Sequence, residues 1–138
     1  MINIVKPGQT YKLTQYEKLG GENGVRQLVS YFYQAMSAIP SAKKIRVMHA
    51  SELTLVEEKL FMFLSGWLGG PALFIEKYGH PRLRARHQSF AIGIEERDQW
   101  LLCMDDALKK MNIEQAMHDE LMQAFFNTAD FMRNKEGE

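Results

Sequence analysis

Residues 79–90 read GHPRLRARHQSF, with His80 and His87 separated by Arg82, Arg84 and Arg86. Imidazole nitrogens hold metals, and guanidinium groups hold phosphates or carboxylates. His80 precedes Pro81, which disfavours helical geometry at the histidine. Pro81 itself suits a first helical turn, where its missing N–H does no harm, so a short helix over Leu83–His87 is predicted. Even on one continuous helix, seven residues correspond to ~10.5 Å of rise. Two imidazoles on one zinc ion are usually four residues apart, so His80 and His87 are not expected to share a small metal ion. His87 alone lies on a partly apolar face next to Arg84. A lone helical histidine is usually structural or exposed. One axial histidine flanked by cations nevertheless matches what a haem needs, a nitrogen for iron and arginines for its two carboxylates.

The rest of the chain must position such a site. Its 138 residues suffice for one domain with a sizeable core. A single domain over 1–138 is expected, with loose ends at about 1–12 and 133–138. Lys plus Arg number 17 and Asp plus Glu 17. This zero net charge argues against a nucleic-acid binder. The single Cys103 rules out an intrachain disulfide and any multi-cysteine metal site. The start, MINIVKPGQT, does not resemble a signal peptide, and no apolar run approaches the ~20 residues of a membrane span. A cytoplasmic protein that binds neither nucleic acid nor membrane is the expectation.

The hydrophobic spacing is helical throughout, and no alternating strand pattern occurs. Val25, Leu28, Val29, Phe32, Met36 and Ile39 line one face of a helix predicted to start after GGENG (20–24), whose glycines end a short helix around Gln15–Leu19. Thr54 and Glu57 have capping-box spacing at the next helix start. Val56, Leu60, Phe63, Leu64 and Trp67 follow on one face, up to GGP (69–71). Residues 72–92 read as short and broken. A further helix carries Ile94, Trp100, Leu101, Met104, Leu108 and Met111. Asn112 and Gln115 offer a second capping box before a last helix with Met117, Leu121, Ala124, Phe125, Thr128 and Met132. His118, the acidic pair 95–96, Lys109 and Lys110 read as solvated, and Cys103 as a buried inert thiol.

The run GGPALFIEKYGHPRLRARHQSFAIGIEERDQWLLCM, with YEKLGG and the Phe32–Tyr33 pair upstream, resembles the core signature of the group II truncated haemoglobins, the two-on-two globins. The likeness covers roughly residues 16–110. It implies an all-α truncated globin, a two-on-two helical sandwich around a b-type haem. Helix 25–39 would pair with 54–68, and 94–111 with 113–132. The proximal iron ligand of the family corresponds to His87, and His80 falls in the GHP turn. Tyr33 and Trp100 match the distal tyrosine and the tryptophan that reaches the ligand pocket. His49 falls near a further distal position, where Met48 competes for the place. Lys59, Arg84 and Arg86 are candidate partners of the haem carboxylates, and Val56, Leu60, Phe63, Leu83, Phe90 and Met104 candidate apolar contacts.

Bound dioxygen on ferrous haem carries partial negative charge. Val56 and Leu60 cannot donate to it, so polarity would come from the Tyr33 hydroxyl, the Trp100 indole N–H and His49. Without the resemblance, Tyr33 and Trp100 read equally as core aromatics. Three functions follow as expectations. The first is a haem protein that binds O2, NO or peroxide and carries out redox chemistry, NO dioxygenation or peroxidase-like turnover, with a separate reductase. The second is a carrier or sensor without turnover. The third is a haem-free helical interaction module.

Overall fold

The computed structural model describes residues 13–42, 45–46, 54–80 and 93–131. His49, Leu83, Arg84, Arg86, His87 and Phe90 lie outside them, as do Met132 and both ends predicted to be loose. The described residues form helices α1 (Gln15–Lys18), α2 (Gly21–Ala38), α3 (Thr54–Trp67), α4 (Leu73–Tyr78), α5 (Ile94–Lys109) and α6 (Gln115–Phe131), with a 3-10 turn at Pro40–Ala42. No strand occurs among the described residues. None of these helices is long and apolar enough to cross a membrane.

Helix α2 is central. It packs against α5 on one side and α3 on the other, while α5 also packs against α6 and α3 against α4. The α2 residues Val25, Leu28, Val29, Phe32, Ala35 and Met36 are buried at the spacing the sequence predicts. Cys103, Met104, Ala107 and Leu108 on α5 close the core with Leu121 and Phe125 of α6. Ile94, placed on the apolar face of α5 from its spacing, is instead exposed, because it opens the helix ahead of the turns that α2 and α6 cover.

The glycine-rich entry to α2 departs from expectation. GENG is helical, and the left-handed turn sits one residue earlier, at Gly20 with φ 107°. A Cβ on Gly24 would lie 1.7 Å from the Leu19 carbonyl oxygen. The glycine therefore serves the close approach of α1 to α2 rather than breaking a helix. Helix α1 is fixed by a capping box in which the Glu17 N–H donates to Thr14 Oγ1 at 3.1 Å and the Thr14 N–H to the Glu17 carboxylate at 3.0 Å. It docks on the end of α3, where the Tyr16 N–H donates to the Leu68 carbonyl at 2.9 Å. The Tyr16 ring covers Gly70 so closely that a Cβ there would stand 2.5 Å from it. The buried Ser65 hydroxyl donates to the Pro71 carbonyl at 2.7 Å and pins the GGP turn.

Three further expectations need correction. Asn112 takes a left-handed conformation with φ 54°, and α6 begins only at Gln115, so the proposed Asn112–Gln115 capping box does not form. Glu96 is buried rather than solvated. Its carboxylate accepts the Gly93 N–H at 2.7 Å and caps α5, whereas Glu95 stays exposed. His118 is not exposed either: its side chain keeps 14% of its accessible surface and ties α6 to α5, with Nε2 2.6 Å from Asp105 and Nδ1 3.1 Å from Asp119.

The His118 clamp makes stability depend on pH. The hydrogen bond to Asp119, then that to Asp105, raises the imidazole above its ordinary 6.5. Burial would raise Asp105, but hydrogen bonds from Lys109 and His118 outweigh it and hold it below the usual carboxylate value. Asp119 is lowered by His118 and Gln115. A raised histidine contributes fully below its unfolded pKa, and the contribution is lost as pH rises through the folded value; the lowered carboxylates contribute above theirs and lose it as pH falls. The clamp is therefore complete between the ordinary carboxylate and imidazole values, 3.8 and 6.5. Urea midpoints measured from pH 5 to 9 are expected to fall more steeply above neutrality for the wild type than for His118→Gln. Parallel curves for the two would remove the clamp from the account.

Candidate functional site

Tyr33 and Trp100 come from different helices and meet on one ring. The Phe32 ring centroid lies 5.0 Å from that of Tyr33, nearly perpendicular to it, and 5.1 Å from that of Trp100. Phe32 is fully buried, and because successive positions on a helix turn by about 100°, it reaches Trp100 on α5 while Tyr33 lies close enough to α3 to feel Glu57. Tyr33 is 4% exposed. Desolvation, with the negative charge of Glu57 on α3 adding to it, pushes its phenol well above the ordinary tyrosine value. Its hydroxyl therefore remains protonated, and able to donate, throughout the physiological range. Trp100 is half-buried.

Helix α3 is apolar on two faces. Phe61, Leu64, Ser65 and Leu68 form one row and are buried in the protein. Val56, Leu60 and Phe63 form another, at helical spacing, and are only half-buried, while Trp67 at the end of the helix stacks on Phe125 of α6. A surface helix normally offers one apolar stripe and a polar back. A second, incompletely covered apolar row beside a buried hydroxyl donor fits a flat apolar cofactor with a polar ligand on one face. Lys59 stands three residues after Val56 and four before Phe63, so its side chain borders this row. Lys59 is exposed, with its ammonium 5.4 Å from the centre of the Tyr78 ring, a position from which a cation can meet a cofactor carboxylate. Met104 is fully buried on α5, one turn beyond Trp100. His80 is exposed, beside Gly79 with φ 81° at the end of α4.

Two features were not foreseen from spacing. Gln99, buried next to Trp100, accepts the Ile45 backbone N–H at 3.2 Å and ties the segment entering 47–53 to α5. The aromatic contacts also run on: Trp100 lies 5.6 Å from Phe125, which stacks on Trp67 at 4.6 Å and 21°. Trp67 and Phe125 each appear on an apolar stripe in the sequence, but periodicity says nothing of which stripes meet. Cys103 is fully buried, and burial, with Asp106 adding, pushes its thiol up to about 11, as suits an inert core group. Among the described residues no cluster of histidine, cysteine or carboxylate side chains could hold a metal ion by itself.

The profile of the Bacterial-like globin family matches residues 14–134, and the chain belongs to that family. Its relatives include proteins named as group II or two-on-two hemoglobins. The chain is 39% identical over 128 residues to the group 2 truncated hemoglobin YjbI of Bacillus subtilis, covering 93% of each. It is similar in structure to the cold-adapted truncated hemoglobin of Pseudoalteromonas haloplanktis TAC125, with a TM-score of 0.87 and 41% identity over 90% of this chain and all of that one. The group II 2-on-2 hemoglobin of Agrobacterium tumefaciens gives a TM-score of 0.87 and 37% identity over 92% of this chain and 98% of that one. The all-helical architecture predicted from periodicity and resemblance is therefore the observed one. Haem iron is the cofactor of this family, and the described residues fit it.

Proposed function

We propose that the chain holds a b-type haem on His87, binds O2, NO and related ligands at the iron, and turns them over in redox detoxification of reactive nitrogen or oxygen species. The observation that carries this reading is the pairing of Tyr33 and Trp100 on Phe32 beside the apolar row Val56, Leu60, Phe63. Two N–H or O–H donors from different helices, together with an apolar row that has none, suit a ligand that gains negative charge on binding.

The haem would supply a redox-active iron that binds the diatomic ligand. This chain's residues do the rest. Tyr33 and Trp100 donate to the ligand, with His49 as a third donor. Val56, Leu60 and Phe63 keep water out. Lys59, Arg84 and Arg86 meet the carboxylates, and Leu83, Phe90 and Met104 pack the cofactor. In NO dioxygenation, NO, O2 and one electron give nitrate. In peroxide reduction, two electrons and two protons give two waters as the O–O bond breaks. Neither electron source lies within the described helices, so a separate reductase, in a cytoplasmic setting, is part of the reading.

Absorption spectra of the purified protein in ferric and ferrous states, followed by NO and peroxide consumption with a chemical reductant, provide the test. A Soret band and consumption of either substrate are expected. A Soret band with reversible O2 binding but no consumption would favour a carrier or sensor, and no Soret band after haem addition a haem-free interaction module.

A further inference from the structure

The rings that begin at the ligand-facing donors do not stop there. Tyr33, Phe32, Trp100, Phe125 and Trp67 form one continuous series with centroid steps of 5.0, 5.1, 5.6 and 4.6 Å. Tyrosine and tryptophan are readily oxidised by one electron, whereas phenylalanine is not. Tyr33, Trp100 and Trp67 are therefore the stations and Phe32 and Phe125 the bridges. Phe32 and Phe125 are buried at 0% and 2% exposure, so water does not interrupt the series. Trp67 is the last residue of α3 and is half-buried. Trp100 is half-buried as well, so Trp67 is distinguished by its place: it is the half-buried station at the end of the series away from Tyr33.

We propose that Trp67 is the exit of an electron path that connects the ligand pocket to the protein surface through Phe125 and Trp100. The inference rests on the redox reading above and assigns a second task to Trp100. When hydrogen peroxide is reduced at the haem and the external reductant is slow, Trp100 gives up an electron. Trp67 refills it across Phe125. Trp67 then loses its indole proton to water and becomes a neutral radical, which a soluble one-electron donor of the phenol or ascorbate class returns to indole with one electron and one proton. Two passes deliver the two electrons that one peroxide needs to leave as two waters. Trp100 is a better first donor than Tyr33. Oxidised tyrosine must release its proton, and burial beside the charge of Glu57 already makes the phenol hold that proton more tightly. The path ends damage at a replaceable electron on the surface rather than in the core around Met36, Cys103 and Met104, whose sulfurs are oxidisable.

The test treats the ferric holoprotein with hydrogen peroxide without added donor and maps oxidised residues by peptide mass spectrometry and spin-trap adducts, with peroxide consumption and haem bleaching followed in parallel. In the wild type, oxidation and trap adduct are expected several-fold more at Trp67 than at Trp100. Trp67→Phe keeps a ring on Phe125, and is expected to shift modification to Trp100 and Tyr33 and to bleach haem several-fold faster. Phe125→Leu, checked for folding by circular dichroism, is expected to have the same effect with Trp67 left intact. Peroxide consumed with Trp67 unmodified, or modified equally in Phe125→Leu, would overturn the path and leave the redox reading in place. Peroxide left unconsumed would remove that reading, and the path with it.

Discussion

His87→Ala is expected to lose stable haem binding, or at least its proximal iron–nitrogen bond, while His80→Ala keeps both. The two histidines are chemically identical, so the difference must come from position. His80 follows Gly79, whose φ of 81° ends α4, and is exposed to solvent. Pro81 then pushes it towards extended backbone, and an exposed imidazole on a turn is poorly placed to reach an iron held in an apolar pocket. His87 closes the RARH run, with Arg84 and Arg86 within the three preceding residues as proposed partners of the carboxylates. The other residues assigned to the haem would meet its carboxylates or its apolar faces, and they would not replace the iron-binding nitrogen of His87. Removing the axial nitrogen should therefore cost both affinity and the ligand-field signature. The Soret intensity, the ferrous spectrum and retention of haem during gel filtration are the measurements. Added imidazole should restore the spectrum of His87→Ala and leave that of His80→Ala unchanged. Equal loss in the two variants would sink the assignment.

How far the sequence foretells the molecule can be judged from particular residues. The buried faces of α2, α5 and α6 are legible because a 3.6-residue period acts on many positions together, so one misread residue, such as Ile94, does not move the element. The candidate site comes from motif resemblance, since spacing alone leaves Tyr33 and Trp100 as ordinary core aromatics. What spacing misreads has a physical pattern. Gly24 looks like a helix breaker but is required because the Leu19 carbonyl occupies the place of a Cβ. Glu96 and His118 look solvated because charged and polar types usually are. Each is instead drawn in by a partner, Glu96 by the Gly93 N–H close by and His118 by Asp105 across the α5–α6 contact. The meetings of Trp67 with Phe125 and of Phe125 with Trp100 join α3 to α6 and α6 to α5, which no local period encodes.

Tyr33→Phe and Trp100→Phe are each expected to speed oxygen release by roughly ten- to a hundredfold. A hydrogen bond to a charged acceptor contributes about 1.5–3 kcal/mol, and about 1.4 kcal/mol is a factor of ten. The phenol of Tyr33 is held protonated by burial and by Glu57, so its donor role should persist across neutral pH. Phenylalanine preserves most of the ring packing on Phe32 at either position, so the change isolates the donor. The double variant is expected to depart from the product of the two single effects. Both donors address one ligand and share Phe32 as a common support, and neighbours of that kind couple. The same donors should draw charge onto the leaving oxygen of a peroxide, so peroxide or NO consumption should fall in both variants. Stopped-flow oxygen dissociation, with steady-state consumption of NO or peroxide, measures both effects. Unchanged oxygen release together with unchanged turnover would return Tyr33 and Trp100 to the core, and a carrier or sensor would then be the better reading of this globin.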